Sequence, residues 1–236
     1  MKKKIVNWGI ISTAKIGLEY VIPAIQKSKN SNVLAIASRN LSKAKNLSKK
    51  NNILKYYGSY KELYQDPEVD IIYNPLPNHL HIKTALQASS FKKHILLEKP
   101  LSLKAKDIEP LLKAAIKNKI IIKEAFMVRH HPQWQWVKKY IQKGNIGDIS
   151  SISSVFSYSN SDAKNIRNIK KYGGGAIYDI GCYPTVISRY LLDKEPKRVV
   201  ATSVIDKKFK TDILSTAILD FGGIYSSFTV ATQSNK

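Results

Sequence analysis

Apolar and polar positions alternate on two different scales along the first half of the chain. Short apolar runs recur at residues 5–11, 33–37, 69–73, 94–97 and 120–122. Runs of this length predict strands that are buried on both faces of a sheet. Longer segments lie between them, and the one at residues 104–118 has the spacing of an amphipathic helix. This alternation predicts an α/β fold with a doubly wound parallel sheet.

A different pattern follows residue 127. The expected helices cover residues 133–142 and 177–192, and the expected strands cover residues 150–158, 199–205, 213–221 and 225–231. Gly222 and Gly223 are typical of a hairpin turn, and the three glycines at residues 173–175 are interpreted as a flexible hinge. Helices combined with strands of this kind predict an α+β fold with a mostly antiparallel sheet.

This change of pattern divides the chain into two predicted domains. The first covers residues 1–127 and the second covers residues 128–236. The second pattern stops at Lys236 in what we interpret as the middle of a sheet, so we expect an incomplete domain that is truncated at its C-terminus. Because unpaired strand edges favour aggregation, such a domain would be a fragment or would complete its sheet through a partner.

Composition narrows the class of protein. Hydrophobic residues make up 43% of the 236 residues, which is enough for a globular core. No apolar run approaches the roughly 20 residues that span a bilayer, and the start of the chain has no signal-peptide pattern. We therefore expect a cytoplasmic protein without a membrane segment. Cys182 is the only cysteine, which excludes an internal disulfide and a cysteine metal cluster.

The strong positive charge of the chain comes mainly from lysine. The net charge is +22 and the pI is about 9.9, values that by themselves favour a nucleic-acid partner. The arginines are Arg39, Arg129, Arg167, Arg189 and Arg198. The lysines are spread through predicted helices and loops, and no nucleic-acid-binding motif accompanies them. We therefore expect no nucleic-acid partner.

The strand predicted at residues 94–97 ends in an acid, a lysine and a proline, Glu98, Lys99 and Pro100. Ligands of open α/β sheets collect outside the carboxyl ends of the strands. A proline disfavours a helical conformation of the residue before it, so we expect Lys99 to be extended at the rim of the sheet. Taken alone, the triplet favours an ordinary strand end whose lysine is solvated.

The first predicted strand leads into small residues and then a helix, which is the order of a dinucleotide-binding turn. Relative to G-x-G-x-x-G, Ser12 and Ala14 replace the first two glycines and only Gly17 is kept. Small side chains still let a pyrophosphate approach the backbone, and the helix N-terminus offers its N–H groups. The candidate coenzyme contacts of this turn are Ser12, Thr13, Ala14, Ile16 and Gly17.

The residues after the second predicted strand indicate which coenzyme is preferred. An NAD site places an acid here to hold the ribose 2′-hydroxyl, whereas this chain has Ser38 and Arg39, followed by Lys43. A hydroxyl and cations suit a 2′-phosphate, so we predict NADP, with NAD possible. The alternative is a solvated basic turn in a lysine-rich chain.

Five motifs taken together resemble the Gfo/Idh/MocA family of oxidoreductases, and most of all its branch of NADP-dependent aldose and dihydrodiol dehydrogenases. The motifs lie at residues 8–17, 74–81, 98–100, 124–132 and 173–184. The resemblance implies that residues 1–127 form a dinucleotide-binding Rossmann domain. It also implies that residues 128–236 form a substrate and dimerisation domain, whose sheet makes a homo-oligomer contact.

The resemblance also implies roles for individual residues. Lys99 would contact the reacting substrate hydroxyl, Tyr183 would donate or accept the proton, and Asp179 would support them. Positions four apart share a helical face, so Asp179 and Tyr183 are expected to point the same way. Further coenzyme contacts are expected at Pro77, His81, Glu98 and Lys99, and substrate contacts at Arg129 and His131. The pair His131 and Pro132 is equally compatible with a helix start.

The predicted function is hydride transfer between NADP(H) and a carbon that bears a hydroxyl or carbonyl group in a sugar or similar small polyol. A nearby ammonium such as that of Lys99 favours a tyrosine phenolate and stabilises an alkoxide-like oxygen in the transition state. The alternatives are a catalytically silent nucleotide-binding member that acts as a regulator or scaffold, or an inactive truncated product. No metal site is predicted.

Overall fold

The computed structural model describes residues 5–234 and contains two compact units. The first unit ends at Ala125 and the second begins at Phe126, two residues before the predicted boundary. Among residues 5–234, no helix combines the length and the apolar character needed to cross a membrane.

The first unit is a six-stranded parallel sheet with helices in the connections. Its strands are β1 (Val6–Ile11), β2 (Ser31–Ala37), β3 (Lys55–Tyr57), β4 (Ile71–Asn74), β5 (His94–Leu97) and β6 (Ile122–Glu124), in the order β3-β2-β1-β4-β5-β6. Its helices are α1 (Ile22–Gln26), preceded by the π-helical turn Gly17–Val21, α2 (Leu41–Lys50), α3 (Tyr60–Gln65), α4 (His81–Ser90) and α5 (Glu109–Asn118). The predicted doubly wound sheet is confirmed. The strand order reverses between β1 and β4, where ligands bind in such sheets.

Burial of both faces explains the continuous apolar runs of the inner strands. Ile10 and Ile11 are 1% and 0% exposed, and they belong to hydrophobic clusters on opposite faces of the sheet. Successive strand residues point to opposite faces, so a strand covered on both sides needs apolar residues at every position. Gly9 in β1 lets α3 pack closely, because a Cβ there would lie 2.7 Å from Cδ2 of Leu63.

The two edge strands differ from the prediction. β3 was not predicted, because three residues that pair with β2 alone carry no apolar run. The strand predicted at residues 120–122 was placed too early and is not fully buried. The left-handed Lys119 (φ 54°) ends α5, the Ile120 N–H bonds back to that helix, and Ile121 is 70% exposed. The ladder with β5 therefore begins at Ile122.

The second unit packs one long helical segment against a four-stranded sheet. It contains α6 (Pro132–Gln142), β7 (Ser151–Ser157), a π-helical turn (Ile177–Gly181) that continues as α7 (Cys182–Leu192), β8 (Arg198–Ile205), β9 (Asp212–Asp220) and β10 (Tyr225–Ala231). The strand order is β7-β10-β9-β8; β10 pairs parallel with β7, and the other pairs are antiparallel. The predicted helix at residues 177–192 and the mostly antiparallel sheet are confirmed.

The two faces of this second sheet differ in burial. On one face, Ala217, Phe228 and Val230 pack against Ala176 and Ile180 of the helical segment. On the other face, apolar side chains are open: Val200 of β8 is 63% exposed, and Ile218 of β9, its partner in the ladder, is 47% exposed.

Candidate active site

The turn after β1 has the shape expected of a phosphate-binding turn. Ser12 has a left-handed backbone (φ 76°), and its N–H donates to the carbonyl oxygen of Ala37 in β2 over 2.9 Å. The chain then enters a helix whose first N–H groups have no partner within the helix. Gly17 is buried, and a Cβ there would lie 3.4 Å from Cε1 of Tyr73. The N–H groups of residues 13–16 in this turn fit the pyrophosphate of a dinucleotide.

The end of β2 presents cations at the same edge of the sheet. The Asn40 side chain accepts from the Lys43 N–H over 2.9 Å and so begins α2, while the Ser38 hydroxyl accepts from the Asn40 N–H over 3.2 Å. Arg39 and Lys43 are exposed, and residues 38–43 contain no carboxylate. Burial raises the pKa of Tyr60, and the nearby Arg39 guanidinium opposes this. These groups fit a 2′-phosphate better than a 2′-hydroxyl.

Two carboxylates hold the segment that carries Lys99. The Tyr73 hydroxyl donates to Oε1 of Glu98 over 2.7 Å, and burial followed by the Glu98 charge raises the pKa of Tyr73. On the other side of Lys99, Oε1 of Glu124 accepts from the Leu101 N–H over 2.6 Å. Tyr73 packs beneath Gly17 as well, so a single side chain connects the phosphate-binding turn to the Lys99 segment. This fixes the backbone of Lys99 at the carboxyl end of β5.

His81 does not match its predicted role as a coenzyme contact. Its ring is completely buried, with Nδ1 at 2.8 Å from the carbonyl oxygen of Pro100 and Nε2 at 2.6 Å from that of Leu76. Burial lowers its pKa, although both carbonyl contacts favour the charged form. No surface of the ring is accessible to a coenzyme. The two ring contacts instead connect the loop after β4 to the Lys99 segment. Pro77 is partly exposed in that loop.

The glycine segment before the second unit's long helical segment is closely packed, which corrects its interpretation as a flexible hinge. The Gly175 backbone is left-handed (φ 123°), and a Cβ there would lie 1.9 Å from Oδ1 of Asp212 in β9. The other carboxylate oxygen of Asp212 accepts from the Ile177 N–H over 2.8 Å and so satisfies a donor of the first helical turn. Glycine is needed here because the capping carboxylate occupies the space of a side chain.

Asp179 has two side-chain partners that the sequence did not predict. Its Oδ1 lies 2.9 Å from Nε of Arg167, and its Oδ2 accepts from the Tyr158 hydroxyl over 2.6 Å. The carboxylate is 11% exposed. Burial raises the pKa of Tyr158, and the Asp179 charge raises it further. Arg167 lies between the predicted strand at residues 150–158 and the three glycines, and Tyr158 is the last residue of that predicted strand, so neither carried a signal of a charged site.

Tyr183 lies one turn further along the same helical segment, between aromatic rings and a cation. Its ring is perpendicular to that of Phe126 with centroids 5.7 Å apart, and it lies 5.9 Å from the Phe156 ring. Burial lowers the pKa of Arg167, but the charges of Asp179 and Tyr183 outweigh this and raise it. Asp179 is bonded to Arg167 and lies four positions before Tyr183, so the guanidinium is held on the helical face that carries Tyr183.

The two predicted substrate contacts have other partners within the second unit. Nδ1 of His131 accepts from the Gln133 N–H over 3.2 Å, so His131 caps α6 as in the alternative interpretation. The guanidinium carbon of the exposed Arg129 lies 5.8 Å from the centroid of the Tyr190 ring. Substrate binding by either residue stays a prediction.

Relatives and solved structures resemble nearly the whole chain. An uncharacterised oxidoreductase of Rhizobium meliloti is 41% identical over 230 residues, which cover 97% of this chain and 69% of that protein. The NADP⁺-dependent D-xylose 1-dehydrogenase 2 of Haloferax volcanii is 34% identical over 215 residues, covering 91% of this chain and 65% of the relative. A crystal structure of a 3-ketoreductase from Actinomadura kijaniata, in complex with NADP and TDP-benzene, has a TM-score of 0.91 at 29% identity and covers 98% of this chain and 71% of that one.

Family models match both units. Residues 6–126 match the oxidoreductase family with an NAD-binding Rossmann fold, and residues 134–236 match the Gfo/Idh/MocA C-terminal domain. Together with the trans-1,2-dihydrobenzene-1,2-diol dehydrogenase of Xenopus tropicalis, which is 34% identical over 241 residues and covered over 71% of its length, these matches confirm the resemblance drawn from the motifs. The matches extend over 98% of the chain and agree with the order of the motifs and with the folds of both units. The chain therefore belongs to the Gfo/Idh/MocA family of oxidoreductases.

Proposed function

We propose that the chain is an NADP-dependent oxidoreductase that acts on a carbon bearing a hydroxyl or carbonyl group in a sugar or small polyol. The observation that carries the proposal is the fixed position of Lys99 at the carboxyl end of β5. The preceding Glu98 accepts from the Tyr73 hydroxyl, and the Leu101 N–H donates to Glu124. The same edge of the sheet carries the turn after β1 and the cations after β2.

The proposed coenzyme site uses the carboxyl ends of β1 and β2. Within the turn at residues 12–17, the N–H groups of residues 13–16 would hold the pyrophosphate, and Ser38, Arg39 and Lys43 would hold the 2′-phosphate. When bound, the nicotinamide supplies or accepts the hydride. The Haloferax volcanii relative named for NADP⁺ and the 3-ketoreductase structure with NADP support this choice.

The proposed chemistry divides charge and proton between two side chains. The Lys99 ammonium would stabilise negative charge that develops on the substrate oxygen. The Tyr183 hydroxyl would give or take the proton of that oxygen. Relatives named for D-xylose and a dihydrodiol support a substrate with several hydroxyl groups.

We also propose that the open face of the second sheet pairs with a second copy of the chain. Val200 and Ile218 are exposed there, with Tyr225 of β10 at 46%, and contiguous apolar patches on a protein surface mark interaction sites. Sedimentation should give a dimer that Val200→Glu converts to monomers. A wild-type monomer would overturn this part of the proposal.

Coenzyme binding and turnover together test the function. Titration of tryptophan fluorescence should show NADPH binding more tightly than NADH, and NADP⁺ should be reduced with at least one compound from a panel of aldoses and vicinal diols. Lys99→Met should abolish turnover and retain NADPH binding, whereas Lys83→Met, at an exposed position of α4, should change neither. Binding without any turnover would favour the catalytically silent alternative. Failure of the folded chain to bind either coenzyme would overturn the proposal.

A further inference from the structure

Arg167 is held in place by its own backbone. Its carbonyl oxygen accepts from the Gly175 N–H over 2.9 Å. A Cβ on Gly174 would lie 2.4 Å from that oxygen, so only glycine permits this approach. The loop that carries Arg167 is therefore docked on the glycine segment that leads into the helical segment with Asp179 and Tyr183. The position of the arginine and the start of that helical segment are set together.

The ion pair with Asp179 orients the guanidinium. Nε of Arg167 lies 2.9 Å from Oδ1 of Asp179, whose second oxygen is bonded by the Tyr158 hydroxyl over 2.6 Å. A carboxylate with a charged partner and a hydroxyl partner is a poor proton acceptor, because both partners stabilise its ionised form. Asp179 therefore serves to hold Arg167 rather than to take a proton. The Arg167 side chain remains 45% exposed.

We infer that Arg167 is a positioning residue for the proposed proton transfer. Asp179 anchors its guanidinium at 2.9 Å, and because Asp179 and Tyr183 share a helical face, the positive charge lies on the side of Tyr183 and favours the phenolate of that tyrosine. The inference rests on the proposed function, in which oxidation of the substrate releases two electrons as a hydride and one proton from the hydroxyl. The phenolate takes that proton and becomes a neutral phenol. In the opposite direction the phenol returns the proton to the carbonyl oxygen.

The charge of Arg167 complements that of Lys99. An arginine stays protonated at every pH at which the protein is folded, so its effect on the phenolate does not change as other groups titrate. A lysine can lose its proton when it is desolvated. The tyrosine would therefore keep a permanent cationic neighbour within its own unit, whatever the state of Lys99.

The test follows the ionisation of Tyr183 directly and needs neither coenzyme nor substrate. The protein is labelled with 3-fluorotyrosine, the Tyr183 resonance is assigned by its loss in Tyr183→Phe, and its ¹⁹F shift is followed against pH. Arg167→Met should raise the midpoint of this titration by about one pH unit, a tenfold change in the ionisation constant. Arg167→Lys should give a midpoint between those of Arg167→Met and the wild type.

A second ion pair of the same unit provides the control. Arg198 pairs with Asp220 over 3.2 Å on the open face of the sheet, so Arg198→Met removes an equal charge on the side opposite the helical segment that carries Tyr183. This variant should leave the midpoint unchanged. An unchanged midpoint in Arg167→Met, or an equal shift in Arg198→Met, would overturn the inference. If Arg167→Met does not fold, a wild-type midpoint in Arg167→Lys overturns it and a raised one supports it.

The pH profile of kcat separates this inference from the proposed function. If the wild type reduces NADP⁺ with a member of the substrate panel, the limb of the profile that requires the phenolate should move upward in Arg167→Met by the amount seen in the ¹⁹F titration. If the wild type turns nothing over, the proposed function fails while the titration still decides the role of Arg167. Turnover with an unchanged midpoint would contradict the role of Arg167 alone.

Discussion

The two regions that carry the candidate residues are built in different ways. In the first unit, Lys99 is fixed by groups from the same edge of one parallel sheet, since Glu98 follows β5 and Glu124 ends β6. In the second unit, Asp179 depends on Arg167 and Tyr158, which a loop and the end of a strand bring to it. Sheet topology alone assembles the first region, whereas the second requires a loop to dock with its charge in place.

The two regions should therefore determine different properties of the enzyme. The first region offers N–H groups and cations and should therefore determine coenzyme affinity. The second offers a hydroxyl beside a fixed cation and should therefore determine the rate and the pH dependence of proton transfer. Substitutions in one region should leave the property of the other nearly unchanged.

The largest expected effect is that of Tyr183→Phe. Loss of a positioned acid or base typically lowers kcat by about 10²–10⁴-fold, and we expect a loss in this range. The NADPH dissociation constant should change by less than about threefold, because the residue lies in the region assigned to proton transfer. Tyr190→Phe, on the same helix, should retain full activity. A large loss of NADPH affinity in Tyr183→Phe would remove the distinction between the two regions.

Arg39→Ala should give the next largest effect, and it should act on affinity. A hydrogen bond to a charged group contributes roughly 1.5–3 kcal/mol, so NADPH should bind about 10- to 100-fold more weakly. NADH, which has no 2′-phosphate, should bind as before. Lys45→Ala, at an exposed position of the adjoining helix, serves as the control. Equal weakening of both coenzymes would show that Arg39 does not read the 2′-phosphate.

A smaller effect is expected from Gly9→Ala, which tests how tightly the first unit is packed. The added methyl group would meet Leu63 at 2.7 Å, Val69 at 3.0 Å and Ile72 at 3.2 Å, all inside the core. Overpacking of this kind lowers the free energy of unfolding by about 1–3 kcal/mol, which urea denaturation can measure. Gly58→Ala is the matched control, because its nearest neighbour would lie 3.5 Å away. Equal stabilities of the two variants would show that the core is more adaptable than its contacts indicate.

The smallest effect is expected at Asp66, whose carboxylate is bonded by the Glu68 N–H over 2.9 Å, the Tyr57 hydroxyl over 2.8 Å and the Lys55 ammonium over 3.0 Å. Burial raises the pKa of Asp66, but these bonds outweigh it and lower the pKa. A carboxyl group whose pKa is lowered in the folded state stabilises the fold at pH values above its unfolded-state pKa of ~3.9. This stabilisation is lost as the pH falls through the folded-state pKa.

Asp66→Asn should therefore destabilise the fold by about 1 kcal/mol at pH 7, and the difference should shrink as the pH falls below ~4. The exposed pair of Glu109 and Lys113, with 2.7 Å between its charged atoms, provides the control. Glu109→Gln should change the free energy of unfolding by less than about 0.5 kcal/mol. A difference for Asp66→Asn that is constant from pH 7 to pH 3 would contradict the assigned cause.

The sequence predicted most of the first unit because its signals are local. Apolar runs such as residues 33–37 mark inner strands directly, and the turn at residues 12–17 follows one of them. The edge strands were missed or displaced, because a strand with a single partner needs no apolar run. The burial of His81 was also missed, since its two carbonyl partners depend on how the loops after β4 and β5 fold together.

The second unit was predictable in outline but not in its charged site. Asp179 and Tyr183 followed from the motif and the helical spacing. Arg167 and Tyr158 did not, because an ion pair between a loop and a helix leaves no periodic pattern in the sequence. The three glycines were interpreted as mobile, yet two of them are required by close contacts, Gly174 with the Arg167 backbone and Gly175 with Asp212.

Transfer of deuterium tests most directly the central claim that the chain carries out an NADP-dependent hydride transfer. The protein is incubated with NADP⁺ and aldoses deuterated at every carbon, including D-xylose, D-glucose and D-arabinose, and the coenzyme is examined by mass spectrometry. The account predicts NADPH that carries one deuterium, formed by the wild type and at least about 100-fold more slowly by Tyr183→Phe. Reduced coenzyme without deuterium, or equal rates for the two proteins, would contradict it.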